Sequence, residues 1–475
     1  MLNVDDKFLR QIIDIVGEKF CITNPKEMEP FLAEERGLYL SSTSLVVKPK
    51  SALEISSIVK TCAEFDVKVV PQGGNTGLCG GAVSQRTNRE IIIALSRMNK
   101  VLGVDPTNFS IKVEAGCVLS DIQAVAAQNN CLFPLSLGAE GSCQIGGNLA
   151  TNAGGINVLR YGNARDLVLG IEVVLPDGRI WNGLRALGKD NTGYALKHLF
   201  IGSEGTLGII TSAVLKMFPK PKEIQTALCA LKCLDDCTAL LSIARELSGD
   251  MISAFELIPR IGLEFCLKHI DGINNPLASD QYEWYVLIEA SSSRVNSQMG
   301  QVFESLLEEA FEKKIIVDAV VAQNSTQMEN LWRIRESLPE AQKKEGGSIK
   351  HDVSIPVALV PQFIKEATNA VLTAYPGVRP CPFGHVGDGN VHFNISQPEG
   401  IEKETYLSNW EEMNKIVHDI IYAMNGSMSA EHGIGILKVG EMEKYKQDVE
   451  INLMKQIKTN IDPKNTMNPG KIIKI

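Results

Sequence analysis

The hydrophobic pattern of this chain has two periods, and it is most informative where both give out. Near the N-terminus Phe8, Ile12, Ile13, Val16 and Phe20 recur at helical spacing behind Asp5 and Asp6, which predicts an amphipathic surface helix and not a signal peptide. Short apolar runs at 67–70, 92–95, 111–114 and 168–175 predict strands, the last entering the Pro176-Asp177-Gly178 turn, while 119–128 predicts a helix. Beyond the junction Lys216-Met-Phe-Pro-Lys-Pro-Lys the rhythm changes. Strands are expected at 285–289 and 315–321 and helices at 298–313 and 361–373, so a second domain begins near Lys220. Both halves mix the two element types, an α+β organisation.

Three stretches follow neither period. Residues 71–83 read PQGGNTGLCGGAV directly after a predicted strand, where Gly73, Gly74 and Gly77 can take positive φ and let successive N–H groups converge on an anion such as a diphosphate. No Lys-Ser/Thr follows and no helix opens there, so the loop is neither a Walker A sequence nor a dinucleotide fingerprint. Residues 136–155, SLGAEGSCQIGGNLATNAGG, and 202–210, GSEGTLGII, are equally rich in small polar residues. One such loop is most simply a tight turn. Three in one half of a chain imply one extended ligand.

These loops, from about Val46 to Pro219, together with DPKNTMNPGK at 462–471, resemble the FAD-binding oxidoreductases of the vanillyl-alcohol-oxidase (PCMH) type. The resemblance implies a two-part FAD-binding domain over 1–219, an α+β substrate or cap domain over 220–425, and a C-terminal segment, 426–475, that returns to the flavin. It implies that Gly73, Gly74, Asn75, Thr76 and Gly77 hold the pyrophosphate. Gly138, Ser142, Gly146, Gly147, Asn148, Thr151, Asn152 and Gly155 of the second loop, with Gly205 and Ile209 of the third, would hold the ribityl chain, adenine and isoalloxazine. No His lies in the loops, and Cys79 and Cys143 are their only thiols, so non-covalent FAD is expected.

Composition narrows the setting. A chain of 475 residues needs two or three cores, and 44% hydrophobic content can fill them. A net charge of −9 argues against a nucleic-acid surface, which needs clustered Lys and Arg. No apolar run reaches membrane-spanning length. Eleven cysteines without C-x-x-C spacing fit a reducing compartment, and a cytoplasmic location is expected.

The chemistry gathers in the second half. Residues 382–394 read PFGHVGDGNVHFN, and Asp388-Gly389 signals a two-residue type I′ hairpin. Folding about that pair sets His385 opposite His392, with Cβ atoms about 4.5–5.5 Å apart, and Asn394 on the same face as His392. Glu431 in SAEHGIG offers a third ligand, with His432 beside it. Two imidazoles in a hairpin also occur as an ordinary structural pair. Two imidazoles and a carboxylate form the open divalent site used in catalysis, for Zn²⁺ or Mn²⁺. Within the flavoprotein family both segments look like signatures of the D-2-hydroxyacid dehydrogenase branch. That resemblance implies metal binding by His385, His392 and Glu431, and a role as base for His432.

Residues 330–356, NLWRIRESLPEAQKKEGGSIKHDVSIP, predict a helix containing Pro339 and then a strand. Arg335 and Lys350 could bind carboxylates, or be solvated surface charges. The stretch looks most like the D-2-hydroxyglutarate dehydrogenase subgroup, where residues matching Arg335, Lys350 and Asn394 contact the diacid. Some relatives have a hydroxyl residue at the Pro339 position, and that departure leaves the contact to the distal carboxylate open. The expected activity is FAD- and metal-dependent oxidation of a D-2-hydroxyacid, at an active site where the two domains meet. D-lactate and glycolate are alternative substrates, a quinone or electron-transfer flavoprotein is the expected acceptor, and a homodimer is compatible. A metal-dependent hydrolase and a non-catalytic flavin-binding subunit are the competing readings.

Overall fold

The computed structural model describes residues 5–85, 89–279 and 282–475, and the chain divides into two compact units. The first comprises Met1–Ala153, Asn163–Lys220 and His432–Ile475. Its opening helix, Asp6–Val16, starts where the Asp5 carboxylate accepts the Lys7 N–H at 2.8 Å, and it buries Phe8, Ile12 and Val16. Those side chains pack on the helix Ala52–Glu64, through Ile55, Ile58, Val59 and Cys62, and on strand residues Val69, Ile91 and Ile93. Each large side chain so buried contributes about 1.5–3 kcal/mol. The strand Lys68–Gln72 runs parallel to Glu90–Ala94 and delivers the first glycine loop at its C-terminal end. Beside this sheet, an antiparallel one runs in the order Val101–Asp105, Ser110–Glu114, Ile209–Lys216, Val168–Val174, Ile180–Asn182. The helix at Leu119–Gln128 spans the residues its periodicity predicts.

The C-terminal tail completes this unit. Val69 donates its N–H to Thr466 at 2.8 Å and accepts from Asn468 at 2.7 Å. The Asn468 side-chain amide then donates to the carbonyls of Gly81 at 2.8 Å and Glu204 at 2.7 Å. One residue thereby ties the first and third glycine loops together.

The second unit comprises Gly154–Gly162 and Pro221–Glu431. A four-stranded antiparallel sheet orders Ile252–Pro259, Trp284–Ser292, Glu223–Leu231 and Ile316–Val321. A three-stranded antiparallel sheet orders Ser348–Ser354, Asn390–Ser396 and Arg379–Phe383. Ile349, Val353, Val391, Phe393 and Ile395 of the smaller sheet enter the main core with Phe363 and Val417 from helices Val360–Ala374 and Trp410–Ala423. Strand alternation leaves His392 and Asn394 on the opposite face.

Two local expectations are corrected. The single helix expected after residue 330 is two, Ser325–Glu336 and Leu338–Lys344, because Pro339 lacks the N–H of a helix interior and sits in the first turn of the second. The two-residue hairpin is also absent. The register pairs His392 with Phe383, the strand Arg379–Phe383 ends there, and residues 384–389 form a longer loop. A type I′ turn needs positive φ at both central residues, and only Gly389, at +88°, has it.

Candidate active site

In the first unit the three glycine stretches line one cleft of about 930 Å³, counted to its open mouth. Gly73, Gly74, Asn75, Thr76 and Gly77 form one wall, and Gly146, Gly147, Asn148 and Thr151 another, with Gly205 and Ile209 beside Glu204. Among the described residues, none accepts the backbone N–H of Gly73, Gly74, Asn75, Thr76 or Gly77. Five successive amides without a protein acceptor at a cleft wall suit a phosphate group. A Cβ added at Gly77 or Gly147 would meet nothing within 4 Å, so these positions leave room for a ligand. At Gly74 the added Cβ would lie 2.2 Å from the Ser142 carbonyl oxygen, so glycine is needed there for the first two loops to touch. The donor set and the space fit FAD. Gly138, Ser142, Asn152 and Gly155 lie off the cleft wall. Asn152 caps its helix and accepts the Arg165 N–H at 2.9 Å, and Gly155 belongs to the second unit.

His432 lines the same cleft. Its loop is held by Glu204, a buried carboxylate that accepts the N–H of Ile434 at 2.7 Å and of Gly435 at 2.8 Å. Burial pushes the Glu204 carboxyl up, against the pull of those two amides. Gly435, at φ +53°, fits so closely over the Cys79 carbonyl that an added Cβ would lie 1.9 Å from the oxygen. Glu204 stood in GSEGTLGII in plain view; an acid inside a glycine loop was the signal that could have found it.

In the second unit His385, His392 and Glu431 converge, each offering a ligand atom within 4.8 Å of the others. The imidazole rings are 5.4 Å apart and nearly perpendicular, and His385 Nε2 is 3.8 Å from Glu431 Oε1. The pair meets because the 384–389 loop folds back, not because the strands oppose the two residues. Glu431 accepts the Gly155 N–H at 2.5 Å and donates its own N–H to Asp352 at 2.9 Å. Asp352 stands opposite His392 in the sheet and reaches to 3.7 Å from its Nδ1. Burial pushes the Glu431 carboxyl up to about 7. Burial would lower the His385 pKa, yet the charges of Glu256 and Glu431 outweigh it and raise it to about 9. Two imidazoles and a carboxylate with mutually close donor atoms fit a divalent cation of the Zn²⁺ or Mn²⁺ kind.

The expected substrate contacts share one face of the small sheet. Lys350 pairs with Asn394 across the strands, and Asn394 donates to Gln342 Oε1 at 2.8 Å. Arg335 is no surface charge. Its guanidinium lies 4.9 Å from the centre of the Phe383 ring, and Nε donates to the buried Glu256 at 2.7 Å.

A cleft with unpaired amides, a glycine-bound histidine and a tail stitched across the loops define a flavin-linked oxidoreductase. The chain belongs to the FAD-linked oxidases: the model of their C-terminal domain matches residues 220–472, and that of the FAD binding domain matches 43–183. It is 37% identical to mitochondrial D-2-hydroxyglutarate dehydrogenase of Arabidopsis thaliana over 99% of this chain and 82% of the relative. It is 36% identical to D-2-hydroxyglutarate–pyruvate transhydrogenase of Saccharomyces cerevisiae over 94% and 90%. Substrate-bound p-cresol methylhydroxylase shares the fold, with a TM-score of 0.77 at 16% identity over 99% of this chain and 98% of the other. The vanillyl-alcohol-oxidase-type architecture expected from the loops is therefore the one present. The cytoplasmic expectation is overturned, because the plant relative and others are named as mitochondrial. Unpaired thiols report a reducing milieu, and that property does not single out the cytoplasm. Among the described residues, no helix is long and apolar enough to cross a membrane.

Proposed function

We propose that this oxidoreductase converts a D-2-hydroxyacid, D-2-hydroxyglutarate above D-lactate or glycolate, to the 2-oxoacid, using a divalent ion at His385, His392 and Glu431. One observation carries the reading: Glu431 belongs to the ligand set, and the next residue, His432, lines the flavin cleft. Consecutive Cα atoms are about 3.8 Å apart, so Glu431 and the candidate base are immediate neighbours along the chain. FAD held non-covalently in the cleft would accept the Cα hydrogen of the substrate with its electron pair, and a Zn²⁺ or Mn²⁺ held by His385, His392 and Glu431 would polarise the substrate hydroxyl as it does a water.

The chain's own groups do the rest. His432 takes the hydroxyl proton at a ring nitrogen, a task suited to imidazole near neutral pH. Glu204 fixes the loop bearing that imidazole through Ile434 and Gly435. Lys350, Asn394 and the outer nitrogens of Arg335 orient the carboxylates, and holding the reacting carbon in place is worth several kcal/mol of the barrier. The acceptor that restores the enzyme is a quinone or an electron-transfer flavoprotein, and the name of the yeast relative adds pyruvate to the compounds to try. The test mixes the purified protein anaerobically with 2-hydroxyacids of both hands. D-2-hydroxyglutarate should bleach the oxidised flavin band fastest and its L enantiomer not at all. Bleaching by neither hand of any 2-hydroxyacid would end the proposal.

A further inference from the structure

The strand Ile252–Pro259 is buried at every position and carries one charge, Glu256, which is 0% exposed. Its neighbours along the strand grip the loop that bears His385. Leu257 exchanges two backbone hydrogen bonds with Gly384, at 2.9 and 3.2 Å, and the Phe255 carbonyl accepts the Gly387 N–H at 3.4 Å. The strand thereby delivers a carboxylate to the inner edge of the imidazole. Oε1 lies 2.6 Å from His385 Nδ1, and Oε2 accepts from Arg335 Nε at 2.7 Å.

A carboxylate without water costs several kcal/mol to desolvate, and its charge is kept only if both oxygens find partners. Arg335 serves Oε2, and the His385 ring is the partner of Oε1. The ring nitrogens of histidine face opposite ways, so an Nδ1–H donated inward to Glu256 leaves Nε2 facing outward, where Glu431 Oε1 stands 3.8 Å away. Histidines that bind metals are held in this manner by a carboxylate behind them, which fixes the tautomer and raises the basicity of the ligating nitrogen.

We infer that Glu256 is a positioning residue for the metal ion, locking His385 with Nδ1–H inward and Nε2 presented to the ligand set shared with His392 and Glu431. The inference rests on the metal-centre reading above. It also gives Arg335 a second partner besides substrate: the guanidinium neutralises Glu256 from the far side and is not needed for the imidazole contact.

The test measures Zn²⁺ affinity by competition with a chromogenic chelator on flavin-loaded, metal-stripped protein, with no turnover involved. Glu256→Gln should bind Zn²⁺ about 10–100-fold more weakly than the wild type while keeping its flavin. Arg335→Gln should stay within a few-fold of wild type. If the single Glu256→Gln chain fails to hold flavin, the double variant Glu256→Gln with Arg335→Gln, which leaves no buried charge unpaired, is read in its place with the same expected loss. Spectra of Zn²⁺-loaded wild type labelled with ¹⁵N-histidine should show His385 ligating through Nε2 with a proton on Nδ1. Equal Zn²⁺ affinity in the wild type and the Gln variant, or ligation of His385 through Nδ1, overturns the inference and leaves the metal centre standing. No stoichiometric Zn²⁺ binding by the wild type overturns both.

Discussion

Replacing Gly147 by Ala should make the apoprotein more stable and the flavoprotein worse. Gly147 lies inside the helix Ile145–Thr151, where glycine is destabilising by about 0.5–1 kcal/mol relative to alanine. An added Cβ meets no atom within 4 Å, so the change gains helix stability without a clash. For a folding unit of this size that gain corresponds to a rise of about 1–4 °C in the apoprotein melting temperature. The space so filled is cleft, and overpacking a bound ligand costs about 1–3 kcal/mol, or roughly 5- to 150-fold in FAD affinity. Gly146, next along, is the control. Its Cβ would sit 2.7 Å from that of Ala115, so Gly146→Ala should lower the apoprotein melting temperature. The assay pairs thermal melts of flavin-stripped protein with FAD titration by quenching of flavin fluorescence. A Gly147→Ala protein that binds FAD as tightly as wild type, or whose apo form melts lower, would refute the placement of the flavin against this helix.

Other changes act on the catalytic groups. His432→Ala should retain flavin and bound metal while slowing substrate-driven bleaching by about 10²–10⁴-fold, measured by stopped-flow absorbance; bleaching at the wild-type rate would remove its role as base. Gly435→Ala should lower the melting temperature and slow bleaching together, since its Cβ would strike the Cys79 carbonyl and displace the loop of His432; an unchanged melt would show that the loop yields freely. Lys350→Met should cost about 10- to 150-fold in kcat/KM for D-2-hydroxyglutarate, the worth of one hydrogen bond to a charged group, and much less for D-lactate. Equal losses on both substrates would place Lys350 away from the distal carboxylate.

The sequence was most legible where one local rule decided the outcome. The helix at Leu119–Gln128 and the strand that feeds the first glycine loop follow from periodicity alone, and the glycine loops announce themselves by the absence of any period. The hairpin rule failed because Asp-Gly describes a preference of two residues, whereas the 384–389 loop answers to backbone hydrogen bonds from Phe255 and Leu257, some 130 residues upstream. The same distance hid Glu256, which has no motif around it, while Asp352, inside the 330–356 stretch, meets His392 only through strand pairing. Glu256 did leave a trace. A lone carboxylate in ISAFELIP, an otherwise apolar run, is a group that must be paired once buried. Arg335 stands out in the sequence for its charge, but only the fold shows that it faces Glu256 and Phe383.

The central claim, a metal-assisted oxidation using flavin and His432, is tested most directly by a single turnover. Protein stripped of metal but retaining FAD is mixed anaerobically with D-2-hydroxyglutarate, before and after addition of one equivalent of Zn²⁺ or Mn²⁺, and the oxidised flavin band is followed. The account predicts that the band persists in the stripped protein and collapses once either ion is restored. Equal bleaching with and without metal would contradict it.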